Sequence, residues 1–282
     1  MKLILAIACS LGTALLTGCS GFQVLNSLSS SRGNIRTNDR AYGDQPRQKL
    51  DVYRPQHVAP GAKTIIFFYG GAWRDGHKAD YRFVADALTS RGFIVVVPDY
   101  RVYPAVTFPK FVEDGAAAVR WVHDHITEFN GDPKQIYLMG HSAGAHLAAM
   151  LALDAHYLKN VGLERNVIRA TAGLSGPYDF VPAKPEREVF GLKPDDSPLP
   201  ILPVHYADGH APPMLLLHGL DDQTVGPANT TRLAARIREA GGEVECILYP
   251  SRAHASMVVA LVGPFRWLAP VLDDVSRYFE QH

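Results

Sequence analysis

The chain has 282 residues, of which 47% are hydrophobic and 20% charged, and its formal net charge at pH 7 is zero. This length accommodates one large α/β domain or two small ones, and the composition is that of an ordinary globular protein. A neutral chain creates no overall field that attracts nucleic acid, so we expect no nucleic-acid partner. Composition leaves the oligomeric state unknown.

The first residues are predicted to form an export signal rather than part of the fold. Lys2 precedes an apolar run over residues 3–16, which is shorter than a membrane-spanning helix requires. The letters LTGC, which end at Cys19, resemble the lipobox of bacterial lipoproteins, in which the signal is removed and the cysteine carries the lipid. We therefore predict a signal peptide over residues 1–18 and lipidation at Cys19. An ordinary secretory signal is the alternative.

The expected location follows from this signal. A lipid on Cys19 would tether the protein to a membrane without spanning it. Ser20, rather than Asp, follows the cysteine. This resembles lipoproteins of the bacterial cell envelope that are sorted to the outer membrane, so we expect a protein that faces the periplasm.

The cysteine count and the next segment fit an exported protein. Cys9 lies in the signal and Cys19 would be acylated, so only Cys246 remains and neither a disulfide nor a cysteine-based metal site is expected. Residues 19–47 are rich in Ser, Asn, Arg and Gly, and we interpret the segment as a lipidated tether. The folded domain is predicted over residues 48–282.

From residue 48 onward, strand-like and helix-like segments alternate. Continuous apolar runs, typical of strands buried on both faces, occupy residues 63–69 and 93–100, and further segments predicted as strands occupy residues 135–139, 168–174, 214–218 and 243–249. Helical periodicity occupies residues 81–91, 111–129, 143 onward, 229–240 and 268–279. The alternation predicts an α/β fold with a mainly parallel central sheet and helices on both faces. Residues 177–213, with nine prolines, are predicted to be an inserted loop or lid.

A serine stands at one of the predicted strand-to-helix turns. Ser142 lies in the pattern G-x-S-x-G, which runs from Gly140 to Gly144. Glycine two places on either side of the serine relieves clashes in a tight turn and leaves the hydroxyl exposed above the sheet. The pattern therefore predicts a nucleophilic serine at the carboxyl edge of the sheet, where ligands bind in such folds. A close-packed turn with a capping serine is the structural alternative.

A nucleophilic serine requires a base, an acid that orients the base, and donors for an oxyanion. Among twelve histidines, His254 is the best candidate for the base because it follows the last predicted strand. The acid is predicted at Asp221 or Asp222, which spacing alone does not distinguish. Gly70 and Gly71 follow directly after the strand over residues 63–69 and are small enough for backbone N–H groups to approach a ligand.

Taken in order, these motifs resemble those of α/β-hydrolase serine esterases. The letters YGGAW, VPDYRVYP, NGDPKQIYLMGHSAGAHLAAML and HGLDDQTV, with the late His254, carry the resemblance over about residues 47–280. The most similar groups are carboxylesterases and feruloyl-esterase-like proteins, with relatives among prenylcysteine methylesterases and kynurenine formamidases. The resemblance implies the α/β-hydrolase fold, with Ser142 as nucleophile, His254 as base and Asp222 as acid. Asp222 is preferred because the family pattern HG-x-x-D-x-x-V ends at Val225.

The resemblance also implies which groups stabilise the oxyanion. By the family pattern, the donors are the backbone N–H groups of Gly71, Ala72 and Ala143. One position departs from the pattern, because the family usually has His where this chain has Tyr69. We expect the oxyanion hole to survive this change, since its donors are backbone amides.

The activity implied by the resemblance is hydrolysis of a small-molecule carboxylic ester through an acyl-enzyme, with no metal or organic cofactor. An amidase or formamidase with the same triad is an alternative, since the pocket selects the leaving group. A non-catalytic envelope lipoprotein that uses the fold for binding is another, because fold alone does not decide function.

Overall fold

We describe the fold in a computed structural model, and the description covers residues 20–29 and 33–282. The predicted signal peptide over residues 1–18 and the predicted lipidation site Cys19 lie outside the described residues. No helix within the described ranges has the length and apolar character needed to cross a membrane.

The described residues form one central sheet of eight strands. These are β1 (Asn34–Ala41), β2 (Lys49–Pro55), β3 (Ala62–Phe68), β4 (Ile94–Pro98), β5 (Gly131–His141), β6 (Ile168–Leu174), β7 (Met214–Gly219) and β8 (Val244–Tyr249). Their order in the sheet is β1-β2-β4-β3-β5-β6-β7-β8. The pairs β1–β2 and β2–β4 are antiparallel, whereas the other neighbours are parallel. The mainly parallel sheet confirms the predicted α/β fold.

Helices cover both faces of this sheet. Those in the described part of the chain are α1 (Ser20–Leu28), α2 (Arg82–Thr89), α3 (Lys110–His125), α4 (Ala143–Leu153), α5 (Ala155–Asn160), α6 (Lys184–Val189), α7 (Ala228–Glu239), α8 (Ser256–Val259) and α9 (Val271–Gln281). The crossovers through α2 and α4 run in opposite directions along the sheet, so right-handed connections put them on opposite faces. α9 packs beside α2, while α3 packs beside α4.

The ordered body begins well before residue 48. In α1 the side chain of Leu25 is completely buried, and the ring of Phe22 lies 4.9 Å from that of Tyr81. Asn26 Oδ1 accepts the backbone N–H of Phe83 at 2.9 Å, which caps the start of α2. Residues 20–28 therefore differ from the tether that composition suggested. Composition did not reveal this packing, because the two apolar residues that make it, Phe22 and Leu25, lie in a segment otherwise rich in Ser and Asn.

Strand β1 also lies within the expected tether. Its pairing with β2 is interrupted by a bulge between Thr37 and Arg40, where Asp39 adopts a φ of 56°. The N–H of Asp39 donates to Oδ1 of the buried Asp51 at 2.9 Å. The sequence did not predict β1 because its residues are mostly polar on both faces.

The proline-rich segment over residues 177–213 is ordered and packs on the body. It contains α6 and two 3₁₀ turns, Leu199–Ile201 and Pro203–Tyr206. Nε2 of His146 in α4 donates to the carbonyl of Ile201 at 2.8 Å. The N–H of Phe108 donates to the carbonyl of Val189 at 3.1 Å. The insertion thus lies against α4 and the segment before α3.

Candidate active site

Ser142 occupies the tight turn between β5 and α4. Its backbone has φ 54° and ψ −122°, a conformation that costs energy for any residue except glycine and is held by the surrounding structure. The N–H of Ser142 donates to the carbonyl of Leu174 at 2.9 Å. A Cβ on Gly140 would clash with the carbonyl of Gly144, and one on Gly144 with the carbonyl of Phe68. The two glycines are required by this close approach, and Ser142 remains partly exposed.

The loop after β8 brings His254 onto Asp222. Nδ1 of His254 lies 2.7 Å from Oδ2 of Asp222, while Oδ1 accepts the N–H groups of Thr224 and Val225, each at 2.9 Å. Burial raises the pKa of Asp222, but hydrogen bonds from His218 and His254 outweigh it and hold that pKa well below its usual range. The carboxylate is therefore charged at neutral pH. It fixes a proton on Nδ1 of His254 and leaves Nε2 as the basic nitrogen.

The two aspartates that spacing did not distinguish are separated by the structure. Asp222 is buried against His254, whereas Asp221 is exposed and its N–H donates to the carbonyl of Arg252 at 2.9 Å. The side chain of Asp222 is thus the one that contacts the predicted base.

A second histidine contacts the same carboxylate. Nε2 of His218 lies 2.8 Å from the carbonyl of Val225 and 3.1 Å from Oδ2 of Asp222. Because a carbonyl only accepts, this nitrogen carries the proton, and Nδ1 accepts the hydroxyl hydrogen of Thr230 at 2.7 Å. His218 is completely buried. Sequence analysis assigned it no role, although its position four residues before Asp222, at the end of a strand, was a usable signal.

His141 joins the turn of Ser142 to the loop of His254. Its Nε2 lies 3.2 Å from the carbonyl of His254, and the two rings are 4.8 Å apart. Burial lowers the pKa of His141 to about 3, so its ring is neutral and Nε2 donates to that carbonyl. The residue beside the predicted nucleophile therefore positions the segment that carries the predicted base.

The loop after β3 has an unusual backbone. Gly71, Ala72 and Trp73 have φ values of 125°, 51° and 58°, so three consecutive residues adopt positive φ. Such conformations are rare outside glycine and cluster at functional sites. A Cβ on Gly71 would clash with the carbonyl of Asp75, so only glycine fits there.

This loop borders the serine and presents unpaired amides. A Cβ on Gly70 would lie 3.2 Å from Cβ of Ser142. Within the described residues, the N–H groups of Gly71, Ala72 and Ala143 donate to no protein acceptor. Free amide donors beside a serine, one of them at the first residue of α4, form a suitable environment for a developing negative charge.

Tyr69, the position that departs from the family pattern, is linked by hydrogen bonds to side chains that contact this loop. Its side chain is completely buried, and its hydroxyl donates to Oδ1 of Asp99 at 2.8 Å and accepts from Nη2 of Arg47 at 2.9 Å. The same Asp99 oxygen accepts the N–H of Lys78 at 2.7 Å, and the same guanidinium donates to the carbonyl of Gly76 at 2.6 Å. Tyr69 thus belongs to a hydrogen-bond network that fixes the end of the loop, at Gly76 and Lys78.

Aromatic side chains of the inserted segment pack on Trp73, in the loop after β3. The indole of Trp73 is buried and packs edge-on against the rings of Phe190 and His146, at centroid distances of 4.8 and 5.1 Å. Phe180 stacks on it at 6.4 Å. This aromatic contact fixes Trp73 and, with it, the adjacent backbone of Ala72.

The histidines of the site are engaged with Asp222 or with backbone carbonyls. Across residues 20–29 and 33–282, no group of three or more His, Cys, Asp or Glu side chains is arranged to hold a metal ion. The described site therefore consists of a partly exposed serine, a histidine–aspartate pair and unpaired amides.

Comparison with curated proteins identifies relatives of this chain. It is 34% identical over 245 residues to a probable isoprenylcysteine alpha-carbonyl methylesterase ICME of Oryza sativa subsp. japonica, which covers 80% of this chain and 59% of that protein. It is 31% identical over 258 residues to esterase LipQ of Mycobacterium tuberculosis, which covers 85% of this chain and 61% of that protein. The chain spans about half to three-fifths of the length of these relatives.

Solved structures share the fold. Esterase 2 of Thermogutta terrifontis superposes with a TM-score of 0.65 at 26% identity and covers 80% of this chain and 84% of that one. A truncated carbohydrate esterase from gut microbiota gives 0.77 at 23% identity, covering 90% and 96%, which supports the fold alone. The model of the BD-FAE family matches residues 50–237, well over half of the chain. The protein therefore has the α/β-hydrolase fold and belongs to the BD-FAE family.

Proposed function

We propose that this protein is a carboxylic ester hydrolase in which Ser142 is the nucleophile, His254 the general base and Asp222 the acid that orients it. The observation that carries the proposal is the 2.7 Å hydrogen bond between Nδ1 of His254 and Oδ2 of Asp222, at the edge of the sheet where the strained turn presents Ser142. The relatives named as esterases support the same reaction class.

In the first half-reaction, Nε2 of His254 removes the hydroxyl proton of Ser142 while the serine oxygen attacks the ester carbonyl. The carbonyl oxygen becomes an oxyanion, which accepts hydrogen bonds from the N–H groups of Gly71, Ala72 and Ala143. When the tetrahedral intermediate collapses, the C–O bond to the alcohol breaks and His254 returns the proton to the leaving alkoxide. An acyl group then remains on the serine oxygen.

In the second half-reaction, water takes the place of the alcohol. Nε2 of His254 removes a proton from the water as it attacks the acyl carbonyl, and the same amides stabilise the second oxyanion. Collapse releases the carboxylic acid and returns the proton to Ser142. The charged Asp222 stabilises the imidazolium in both halves, because its pKa lies well below neutral pH.

The test is hydrolysis of p-nitrophenyl esters from acetate to long acyl chains by protein that begins at Ser20 and so retains α1. Ser142→Ala should abolish turnover. Asp221→Asn is the matched control, since it removes a carboxylate one residue from the triad and should leave turnover close to that of the wild type.

Three results would separate the alternatives. Turnover of esters that disappears only in Ser142→Ala supports the esterase. Turnover of an N-formyl amide in preference to every ester would identify an amidase with the same triad. Equal inertness of wild type and Ser142→Ala on all substrates would favour a non-catalytic role and contradict the proposal.

A further inference from the structure

We propose that the carboxyl edge of the sheet, which carries the candidate active site, lies against a lipid surface and is held there by the lipid on Cys19. The enzyme would then take its substrate at the lipid–water interface, which selects amphiphilic esters. The choice of substrate rests on the proposed function, whereas the orientation rests on the position of α1 and on where apolar side chains are exposed.

The first argument concerns where α1 begins. Its first turns lie beside Tyr81, on which the ring of Phe22 packs at 4.9 Å. Asn26, in the last turn, also contacts the start of α2, through the carbonyl of Ala79 at 3.0 Å and the N–H of Phe83 at 2.9 Å. α1 thus packs over the start of α2. Because α2 leads from the carboxyl end of β3 to the amino end of β4, both helices begin at the carboxyl edge. This is the edge that presents Ser142.

The second argument concerns the length of the connection. Ser20 is the first residue of α1, so Cys19 is joined to a helix that packs on the body by a single peptide bond. One residue spans at most about 3.6 Å. A lipid on Cys19 would therefore enter the bilayer next to the body, and its point of attachment would select which side of the protein meets the membrane.

The third argument concerns the exposed apolar side chains. Among residues 20–29 and 33–282, seven large hydrophobic side chains are exposed, and two of these lie on α1. Four follow the carboxyl ends of β6, β7 and β8: Val181 (91% exposed), Leu199 (49%), Leu220 (45%) and Trp267 (57%). Only Ile35, near the start of β1, lies toward the opposite edge. Transfer of exposed Trp and aliphatic side chains from water to a membrane interface is favourable.

These arguments support each other energetically. A lipid on Cys19 would hold the protein at the membrane, but one point of attachment does not fix the orientation, which requires a second contact. The net charge of zero provides little electrostatic attraction to anionic lipid. The apolar side chains that follow the carboxyl ends of β6, β7 and β8 supply this second contact, away from α1 in the strand order, and so fix the orientation.

The first experiment measures orientation without catalysis. The full chain is expressed in a bacterial host, extracted in detergent and reconstituted into phosphatidylcholine vesicles whose acyl chains carry bromine. Trp73 and Trp121 are buried, so Trp267 reports on the surface. We expect bromine to quench the fluorescence of Trp267, and Trp267→Phe to remove the quenched component.

The matched control moves the fluorophore to the opposite edge. His57 is exposed in the turn between β2 and β3, at the amino edge. In a Trp267→Phe background, His57→Trp should give fluorescence that bromine leaves unquenched. Quenching of the indole introduced by His57→Trp that equals or exceeds the quenching of Trp267 would overturn the orientation. A mass for the N-terminal peptide that lacks lipid on Cys19 would overturn the anchor.

The second experiment compares an ester embedded in vesicles with a water-soluble p-nitrophenyl ester. Val181→Asp should reduce hydrolysis of the embedded ester several-fold and leave hydrolysis of the soluble ester unchanged. Ile35→Asp, the same change toward the opposite edge, should alter neither. Equal rates for Val181→Asp and wild type on the embedded ester would contradict the proposal. Failure of the proposed function would instead appear as no hydrolysis of either ester.

Discussion

Asp222, the proposed acid of the triad, has four hydrogen-bonding partners. His254 Nδ1 contacts Oδ2, the amides of Thr224 and Val225 contact Oδ1, and His218 approaches from the buried side. These donors keep the carboxylate charged and fixed in one rotamer. The proton on Nδ1 of His254 therefore depends on this single side chain.

We expect Asp222→Asn to lower kcat by about 10⁴-fold, because an amide no longer requires a proton on Nδ1 of His254 and the wrong tautomer is populated. The measurement is the pH profile of kcat on a soluble ester. Part of the activity should return at alkaline pH, which a merely structural defect would not produce. Asp222→Asn with nearly wild-type kcat would show that another group orients the base.

Tyr69 connects the loop after β3 to two charged side chains, those of Asp99 and Arg47. Removing its hydroxyl in Tyr69→Phe leaves Asp99 and Arg47 each without one hydrogen-bond partner, which costs about 1–3 kcal/mol of unfolding free energy. We expect kcat to fall while KM changes little, since the loop amides are proposed to act on the oxyanion rather than on the bound ester. Tyr206→Phe is the control, because that hydroxyl donates to the carbonyl of Pro200, which lies in the same insertion. A change confined to KM would contradict this role.

At the scale of elements, α1 contributes more than its composition indicates. Leu25 is completely buried under it, whereas Val24 on its outer side is 43% exposed. We expect Leu25→Ala to lower the free energy of unfolding by about 2–5 kcal/mol, through lost burial and the cavity left behind. Val24→Ala should change it by about 0.5 kcal/mol or less. Urea denaturation measures both, and equal effects would show that α1 does not pack on the body in solution.

The parallel strands were predictable because each contains closely spaced apolar residues, which form an unbroken run in β4 and in the first four residues of β7. β6, for example, was predicted over residues 168–174 and is observed as Ile168–Leu174. β2 was missed because Asp51 interrupts its apolar residues. That carboxylate is completely buried, yet it pairs with Lys78 and Arg36 at 2.9 and 2.6 Å. Such pairing depends on residues distant in sequence, which no local pattern reveals.

The candidate site was predictable to a similar extent. The positions of Ser142, Asp222 and His254 follow from their order along the chain and from strand ends that meet at one edge. The roles of His141, His218 and Tyr69 were not predictable, because each depends on a hydrogen bond that exists only after the sheet has assembled. The sequence thus indicates the groups proposed to react, and the fold reveals the side chains that contact and position them.

At the scale of the whole molecule, buried neutral histidines link stability to pH. His146 is completely buried, and burial lowers its pKa to about 4, although its bond to the carbonyl of Ile201 opposes this. The unfolded chain takes up a proton at this residue near pH 6.5, whereas the folded protein does not. The contribution to stability is therefore complete above about pH 6.5 and declines as the pH falls toward 4.

We expect His146→Gln, which retains a donor for the carbonyl of Ile201, to flatten this dependence. Between pH 6 and pH 4.5, the slope of unfolding free energy against pH should decrease by up to about 1.4 kcal/mol per pH unit, the value for one proton. Urea denaturation at a series of pH values measures the slope. Parallel curves for the variant and the wild type would show that the His146 ring is already protonated in the folded state.

Strand β1 forms one border of the sheet, and the unpaired side of this strand affects the tendency of the molecules to aggregate at high concentration. The free N–H and C=O groups of a border strand can recruit a strand from another molecule, which starts aggregation. The bulge between Thr37 and Arg40 breaks the even spacing of those groups, and Arg36, Asp39 and Arg40 add charge along the strand. β1 is therefore a poor template for a further strand, and the sheet ends with it.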